Sequence, residues 1–346
     1  MSAPPAILLR LPNWLGDTVM ALPALQHLRE TFPAARILVA VRPPLALFMA
    51  AQEGVAGVVE APGPGWLELG RHCLAPGRTL AEIDLAVLFT NSFASAFWTW
   101  RLGARRRLGY DRDGRRLFLT HPLPCGRTVR QLHCLDYYLA LSQAAARVLG
   151  VSADAPPPER LPRPTIAADW RSQAERLLGE RGVDSPFAVL APFSAFGAVK
   201  DWPFAYYQRL VRELSERRGL RVLLSGTASQ AARARELAQS HPRALSLAGD
   251  TDLGTFAAVL ERAALFVGGD SGGAHLAAAL AIPTLVIFGL TDPSRTGQTG
   301  PRVAILGGKP GEELRGGRAR RVAAEELSSI GVETVWESLE SLENGK

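Results

Sequence analysis

The chain has 346 residues, 47% of them hydrophobic, with a formal net charge of +6. That length suits two ordinary domains with filled cores, which argues against a disordered or fibrous chain. The longest apolar run, His275 to Leu290, is interrupted by Pro283 and Thr284, and no basic segment precedes the first apolar stretch. Neither a transmembrane helix nor a secretory signal is expected.

In chain order, Ala6–Leu11 reads as a buried strand and Thr18–Thr31 as a helix, with Gly16-Asp17 at the joint. Arg36–Val41 is a strand, Leu45–Gln52 a helix and Val55–Glu60 a short strand, followed by a Gly- and Pro-containing loop over Gly63–Arg78. Asp84–Thr90 is a strand and Ser92–Leu102 a helix. Arg106–Tyr110 and Leu117–Thr120 read as short strands around a D-R-D-G turn, and Val129–Leu149 as one long helix.

Residues 151–164 contain five prolines, a linker composition. The alternation then restarts. Helices are expected over Ala167–Arg181, Phe204–Arg217, Ser229–Gln239, Leu253–Arg262, Gly273–Leu280 and about Ala323–Leu342. Strands are expected over Phe187–Ala191, Arg221–Ser225, Ala244–Ala248, Leu265–Val267, Thr284–Phe288 and Val303–Leu306. Strands alternating with helices predict parallel sheets covered on both faces. Two such series imply an α/β protein of two Rossmann-like domains facing a cleft, with ligands beyond the carboxyl ends of strands.

The charge is uneven. Residues 1–150 hold 16 Arg against 10 acidic residues, whereas residues 151–346 hold 23 basic and 23 acidic residues. The excess lies in residues 101–130, with nine Arg against Asp111 and Asp113, and implies either an anionic partner or a solvated basic face. Three cysteines, Cys73, Cys125 and Cys134, form no C-x-x-C and read as reduced thiols of a cytosolic protein. The chain has 36 Arg and three Lys, so Lys200 marks a place that suits a compact ammonium.

No G-x-G-x-x-G follows the first strand and there is no Walker A, which disfavours a nicotinamide dehydrogenase or a P-loop NTPase. Asp270-Ser271-Gly272-Gly273 joins an apolar strand to a helix that carries His275 in its first turn. Unpaired N–H groups and close backbone approach make such a joint a phosphate site; the alternative is an ordinary cap by Asp270 or Ser271, which would not require the glycine pair or the early His. The loop after Ala191 places Ser194 and Lys200 before a helix starting near Pro203, again suited to a phosphate. Asp17, at the end of the first strand, is either a helix N-cap or a base of modest strength beside a good leaving group. The pairs Asp111/Asp113 and Asp250/Asp252 read as a turn and a cap, so no metal site is expected.

Together, Gly16-Asp17, the K-x-W-P of Lys200–Pro203, the D-S-G-x-x-H of Asp270–His275 and the F-G-x-T of Phe288–Thr291 resemble the ADP-heptose:lipopolysaccharide heptosyltransferases, glycosyltransferase family nine. The likeness covers nearly the whole chain, and T-V-R-Q-L-H-C-L-D-Y-Y-L-A-L (128–141) is more like the type-two enzymes. The resemblance implies a GT-B fold: an acceptor domain over 1–155, a nucleotide-sugar domain over 165–322 and a C-terminal helix, 323–346, crossing back to the first domain. It implies inverting, metal-independent transfer without a cofactor. Asp17 would be the general base. Lys200 and Ser194 would neutralise the departing diphosphate, and Asp270, Ser271, Gly272, Gly273 and His275 would hold the phosphate and sugar of ADP-heptose.

The acceptor implied is a phosphorylated Kdo-containing lipid A core at the cytoplasmic face of the inner membrane, to which the protein would attach peripherally. Arg105, Arg106, Arg107, Arg115 and Arg116 are then the acceptor-binding residues. One departure concerns the nucleotide: where the family often carries an acidic ribose contact after R-V-L-L-S-G, this chain has Gln230, with Glu236 further along. Two other enzyme readings are a relative using another sugar nucleotide or acceptor, and a GT-B-type epimerase. A different class is an anionic-polymer binder using residues 101–130. Few aromatics accompany those arginines, so nucleic acid is not the expected partner.

Overall fold

The computed structural model describes residues 4–63, 83–151, 161–194, 201–289, 291–308 and 325–343. The chain forms two compact units, residues 1–165 and 166–346.

The first unit runs β1 (Ala6–Arg10), α1 (Leu15–Met20), α2 (Leu22–Thr31), β2 (Arg36–Val41), α3 (Pro43–Ala50), β3 (Gly57–Glu60), β4 (Leu85–Leu88), α4 (Phe93–Arg101) and β5 (Arg106–Tyr110). A 3-10 turn (Arg115–Phe118), β6 (His121–Leu123), α5 (Arg127–Gln131) and α6 (Cys134–Val148) complete it. The strands pair in parallel in the order β3-β2-β1-β4-β5-β6. β1 and β4 lie at the centre and are buried along their whole length, as strands covered on both faces must be. The order reverses between them, so the carboxyl ends of β1 and β4 form the switch point where such sheets bind ligands.

Three expected elements differ. The helix expected over Thr18–Thr31 is two helices, because Pro23 has no N–H to give to the preceding turn and the chain restarts at Ala21. Leu117–Thr120 is not a strand. Asp113 and Gly114 take positive φ (53° and 71°) and turn the chain into the 3-10 segment, and the strand begins only at His121. The helix expected over Val129–Leu149 breaks at Leu132 and His133, both with extended ψ. The His133 ring then accepts the Leu135 N–H at 3.2 Å as the cap of α6.

The second unit runs α7 (Ala168–Glu180), β7 (Phe187–Ala191), α8 (Phe204–Arg217), β8 (Arg221–Leu224), a 3-10 turn (Ala228–Gln230), α9 (Ala231–Ala238), β9 (Ala244–Ser246) and α10 (Leu253–Glu261). It continues with β10 (Leu265–Gly269), α11 (Gly272–Ala279), β11 (Thr284–Phe288), α12 (Pro293–Thr296), β12 (Val303–Gly307) and α13 (Val332–Glu343). Its strands are parallel in the order β12-β11-β10-β7-β8-β9, the same winding as the first sheet. The switch point is therefore at β7 and β10.

The final helix packs into the second unit. α13 buries Val332, Val335, Trp336 and Leu339 in the core of the second unit, against α8, β11 and β12. Arg217 and Arg218 stack on the Trp336 ring at 4.1 and 4.5 Å. Burial of about 1.5–3 kcal/mol per large apolar side chain holds this face where it is.

Candidate active site

In the first unit, the carboxyl edge of the sheet gathers polar groups around Asp17. Arg10, the last residue of β1, is buried and donates to the carbonyls of Leu11 and Ala40 and, at 2.7 Å, to Asn13 Oδ1. It thereby ties down the loop that leads to Asp17. Burial, and secondarily the charge of Arg42, pull its pKa down to about 10.

Asp17 lies in the first turn of α1. It is not the N-cap: Trp14 occupies that position and contributes no side-chain cap. The Asp17 carboxylate, half-buried, instead accepts a hydrogen bond from the Tyr138 hydroxyl of α6 at 3.2 Å. Burial, then the Asp17 charge, hold the Tyr138 phenol well above its usual range, so it remains a donor.

Beside it, the Tyr137 hydroxyl donates to Asn91 Oδ1 at 2.9 Å, just beyond the end of β4, and burial pushes its pKa up to about 12. Arg115 donates to the same Asn91 oxygen at 3.1 Å. Sequence reasoning missed Tyr138, Tyr137, Asn91 and Arg10. Only Arg10 left a signal, as a lone charge closing the otherwise apolar A-I-L-L-R strand.

The arginines expected to meet an acceptor do not assemble there. Arg105 and Arg106 lie at the start of β5, on the amino edge of the sheet, opposite the edge that carries Asp17. Arg105 approaches Asp84 at 3.4 Å and Arg106 donates to the Val148 carbonyl at 2.9 Å. Arg107 donates to the carbonyls of Phe118 and Ala104 at 2.5 and 2.6 Å. Arg115 is fully buried and Arg116 pairs with Asp111 at 2.7 Å. Of the arginines in residues 101–130, Arg112 and Arg130 line an open polar pocket of about 310 Å³ with Asp111, Asp113 and Gly114 at the carboxyl end of β5.

In the second unit, Ser271 caps α11, accepting the Ala274 N–H at 3.4 Å, so the capping alternative is realised by Ser271. Gly272 and Gly273 open the helix, and a Cβ at Gly273 would make an ordinary van der Waals contact with the Phe256 ring at 3.4 Å, so packing alone does not demand a glycine there. His275 is buried in the first turn, and Asp270 is partly exposed between strand and cap. These residues follow β10 directly.

Beyond β7, the Ser194 N–H donates to Asp201 Oδ1 at 2.7 Å, closing the two ends of the loop. Asp201 pairs with Arg233 at 3.0 Å, and Arg233 stacks on Phe193 at 4.2 Å. Lys200 lies outside the described residues, as does Cys73. Gln230, where an acidic ribose contact is expected, completes a capping box with Thr227 and donates to the Phe193 carbonyl at 3.2 Å. Glu236 is exposed on α9. Asp252 caps α10 through the Thr255 N–H at 2.7 Å, and Asp250 pairs with Arg181 at 2.6 Å. No helix among the described residues is long and apolar enough to cross a membrane.

This arrangement offers a tethered carboxylate at one switch point and, at the other, a capped helix N-terminus with glycines and a buried His. Comparison with known proteins bears on the family and the fold. The model of glycosyltransferase family 9 (heptosyltransferase) matches residues 74–317. Lipooligosaccharide heptosyltransferase 2 of Haemophilus influenzae is 28% identical over 320 residues, 87% of this chain and 88% of that protein. Lipopolysaccharide heptosyltransferase 2 of Escherichia coli K12 is 26% identical over 345 residues, 96% of each. The solved structure of E. coli ADP-heptose lps heptosyltransferase II shares the fold with a TM-score of 0.80, at 22% identity and 98% coverage of both chains. The two Rossmann-type units are those of the GT-B fold, and with a family match over most of its length this chain belongs to glycosyltransferase family 9 (heptosyltransferase) and is a glycosyltransferase.

Proposed function

We propose that the protein transfers heptose from ADP-heptose to the inner core of lipopolysaccharide, with inversion at the anomeric carbon and without a metal. The observation that supports this reading is Asp17: a carboxylate at the switch point of the first sheet, not used as a helix cap and held by a side chain from a distant helix. Asp17 accepts the proton of the acceptor hydroxyl as that oxygen forms its bond to the anomeric carbon. The bond to ADP breaks on the opposite face, and its electrons go to the diphosphate.

The N-terminal domain supplies the base and the acceptor contacts. The C-terminal domain holds the nucleotide sugar through Ser194, Lys200 and the segment Asp270–His275, whose helix N-terminus favours phosphate. A carboxylate base of modest strength suffices because ADP is a good leaving group. The acceptor is a phosphorylated Kdo-lipid A, met at the cytoplasmic face of the inner membrane by a peripherally attached enzyme.

Calorimetric titration with ADP, UDP, GDP and dTDP, with and without a chelator, tests the donor side. Preferential ADP binding that survives chelation is expected; preference for another nucleotide discards the heptose. On the acceptor side, Asp17→Ala is expected to abolish transfer while ADP still binds. Turnover at the wild-type rate in that variant removes Asp17 as the base.

A further inference from the structure

We infer that Tyr138 is the positioning residue for the catalytic carboxylate: its hydroxyl, 3.2 Å from Asp17 Oδ1, fixes the orientation in which Asp17 meets the acceptor hydroxyl. The inference rests on the reading of Asp17 as the base. Three observations carry it.

The two residues are 121 positions apart, so their contact is made by the fold and not by local geometry. α6 packs against α1, α2, β4 and β5, which brings Tyr138 over the first turn of α1. The Tyr138 ring has no freedom to move away. It is buried, lies 5.5 Å from the Phe89 ring at 53° and packs edge-on to Tyr137 at 5.8 Å and 78°. Tyr137 is itself held by its hydrogen bond to Asn91, so the pair forms a rigid support.

The chemistry follows from the donor. A buried phenol donating to a carboxylate makes a charge-assisted bond that fixes the torsion of a short side chain. It also draws charge from the carboxylate and so lowers its affinity for a proton. Orientation gained against basicity lost is a favourable exchange where the leaving group is good, because a misplacement of about 1 Å can cost about 100-fold in rate. The titratable groups acting on the Tyr138 hydroxyl are Asp17 from α1 and Cys134 and Tyr137 from α6.

The test is Tyr138→Phe, which keeps the ring and removes the hydroxyl. Expected are a fall in kcat of about 10–100-fold, unchanged KM for donor and acceptor, a fall in Tm no larger than the loss of one hydrogen bond, and an acid limb of the kcat/KM profile displaced to higher pH. Incorporation of 3-fluorotyrosine at position 138, a stronger donor, displaces that limb to lower pH and serves where the Phe variant fails to fold. In an Asp17→Asn background, Tyr138→Phe is expected to add no further loss.

Wild-type kcat and an unmoved limb in Tyr138→Phe, with Asp17→Asn inactive, overturn the positioning role alone. Loss of Tm and both KM values without displacement of the limb assigns Tyr138 to packing and overturns it too. Wild-type kcat in Asp17→Asn overturns the base, and this inference with it.

Discussion

Arg115 donates through Nε to the Tyr110 carbonyl at 2.8 Å while none of its side chain reaches solvent. Its other nitrogens go to the Thr90 carbonyl and Asn91 Oδ1, so it joins the ends of β4 and β5 beneath the candidate site. Burial brings its pKa down to about 10, still charged at neutral pH. Arg115→Ala leaves those acceptors unsatisfied and is expected to destabilise the protein by about 3 kcal/mol, read as a lower urea midpoint. Gly109→Ala is expected to act in the same direction, because its Cβ would stand 2.9 Å from Arg115 Nη2. A loss of acceptor affinity without loss of stability in Arg115→Ala would instead return this residue to the acceptor.

The contrast between Arg115 and Asp17 shows what the sequence could and could not reveal. Strand–helix alternation and buried apolar runs made both parallel sheets legible, and with them the strand ends where Asp17, Ser194 and Asp270 stand. Periodicity says nothing about which of several neighbouring arginines turns inward. Arg115 follows a positive-φ turn at Asp113 and Gly114 that swings it under β5, and Arg116, one residue on, points out to Asp111. Tyr138 was illegible for a related reason: as one apolar-face residue of a helix it reads as core, and its partner lies 121 residues away. The breaks at Pro23 and His133 follow from a missing N–H and a ring acting as cap, local chemistry that a continuous apolar pattern conceals.

Gln230 is expected to act through structure rather than through the ribose. Its Oε1 accepts the Thr227 N–H at 2.9 Å and its Nε2 reaches the Phe193 carbonyl, linking the loops after β8 and β7. Gln230→Ala loses the capping box and that link and should cost about 1–2 kcal/mol. Gln230→Glu keeps the acceptor, loses the donor and should cost about 1 kcal/mol. Chemical denaturation of both variants, with ADP titration alongside, checks this; a change in nucleotide preference with unchanged stability would contradict it.

The placement of Arg105 and Arg106 on the amino edge predicts that the double variant Arg105→Gln/Arg106→Gln leaves the KM for a deacylated, water-soluble acceptor within about twofold. They contact Asp84 and the Val148 carbonyl, exposed interactions worth little each. Arg112→Gln/Arg130→Gln, in the open pocket at the carboxyl end of β5, is expected to raise that KM by about 10-fold or more, since each lost charge-assisted contact is worth about 1.5–3 kcal/mol. Steady-state kinetics on the two pairs separates the edges, and equal effects would remove the distinction.

His27 gives the protein an acid-sensitive stability. It is buried in α2, and neither ring nitrogen has a hydrogen-bond partner among the described residues. Burial lowers its pKa, against a smaller opposing pull from Glu30. The folded state therefore keeps the ring neutral where the unfolded chain, with a pKa of about 6.5, takes up a proton. Above about pH 6.5 both states are neutral and stability does not depend on this residue. As pH falls through that value the unfolded state binds more protons, and stability falls until the folded ring also titrates. The slope from one residue stays below about 1.4 kcal/mol per pH unit. His27→Leu removes the titration and fills the site with an apolar side chain of similar size, so urea midpoints measured between about pH 7.5 and 5 should decline less steeply than in the wild type. Parallel declines in the two proteins would place the acid sensitivity elsewhere in the fold.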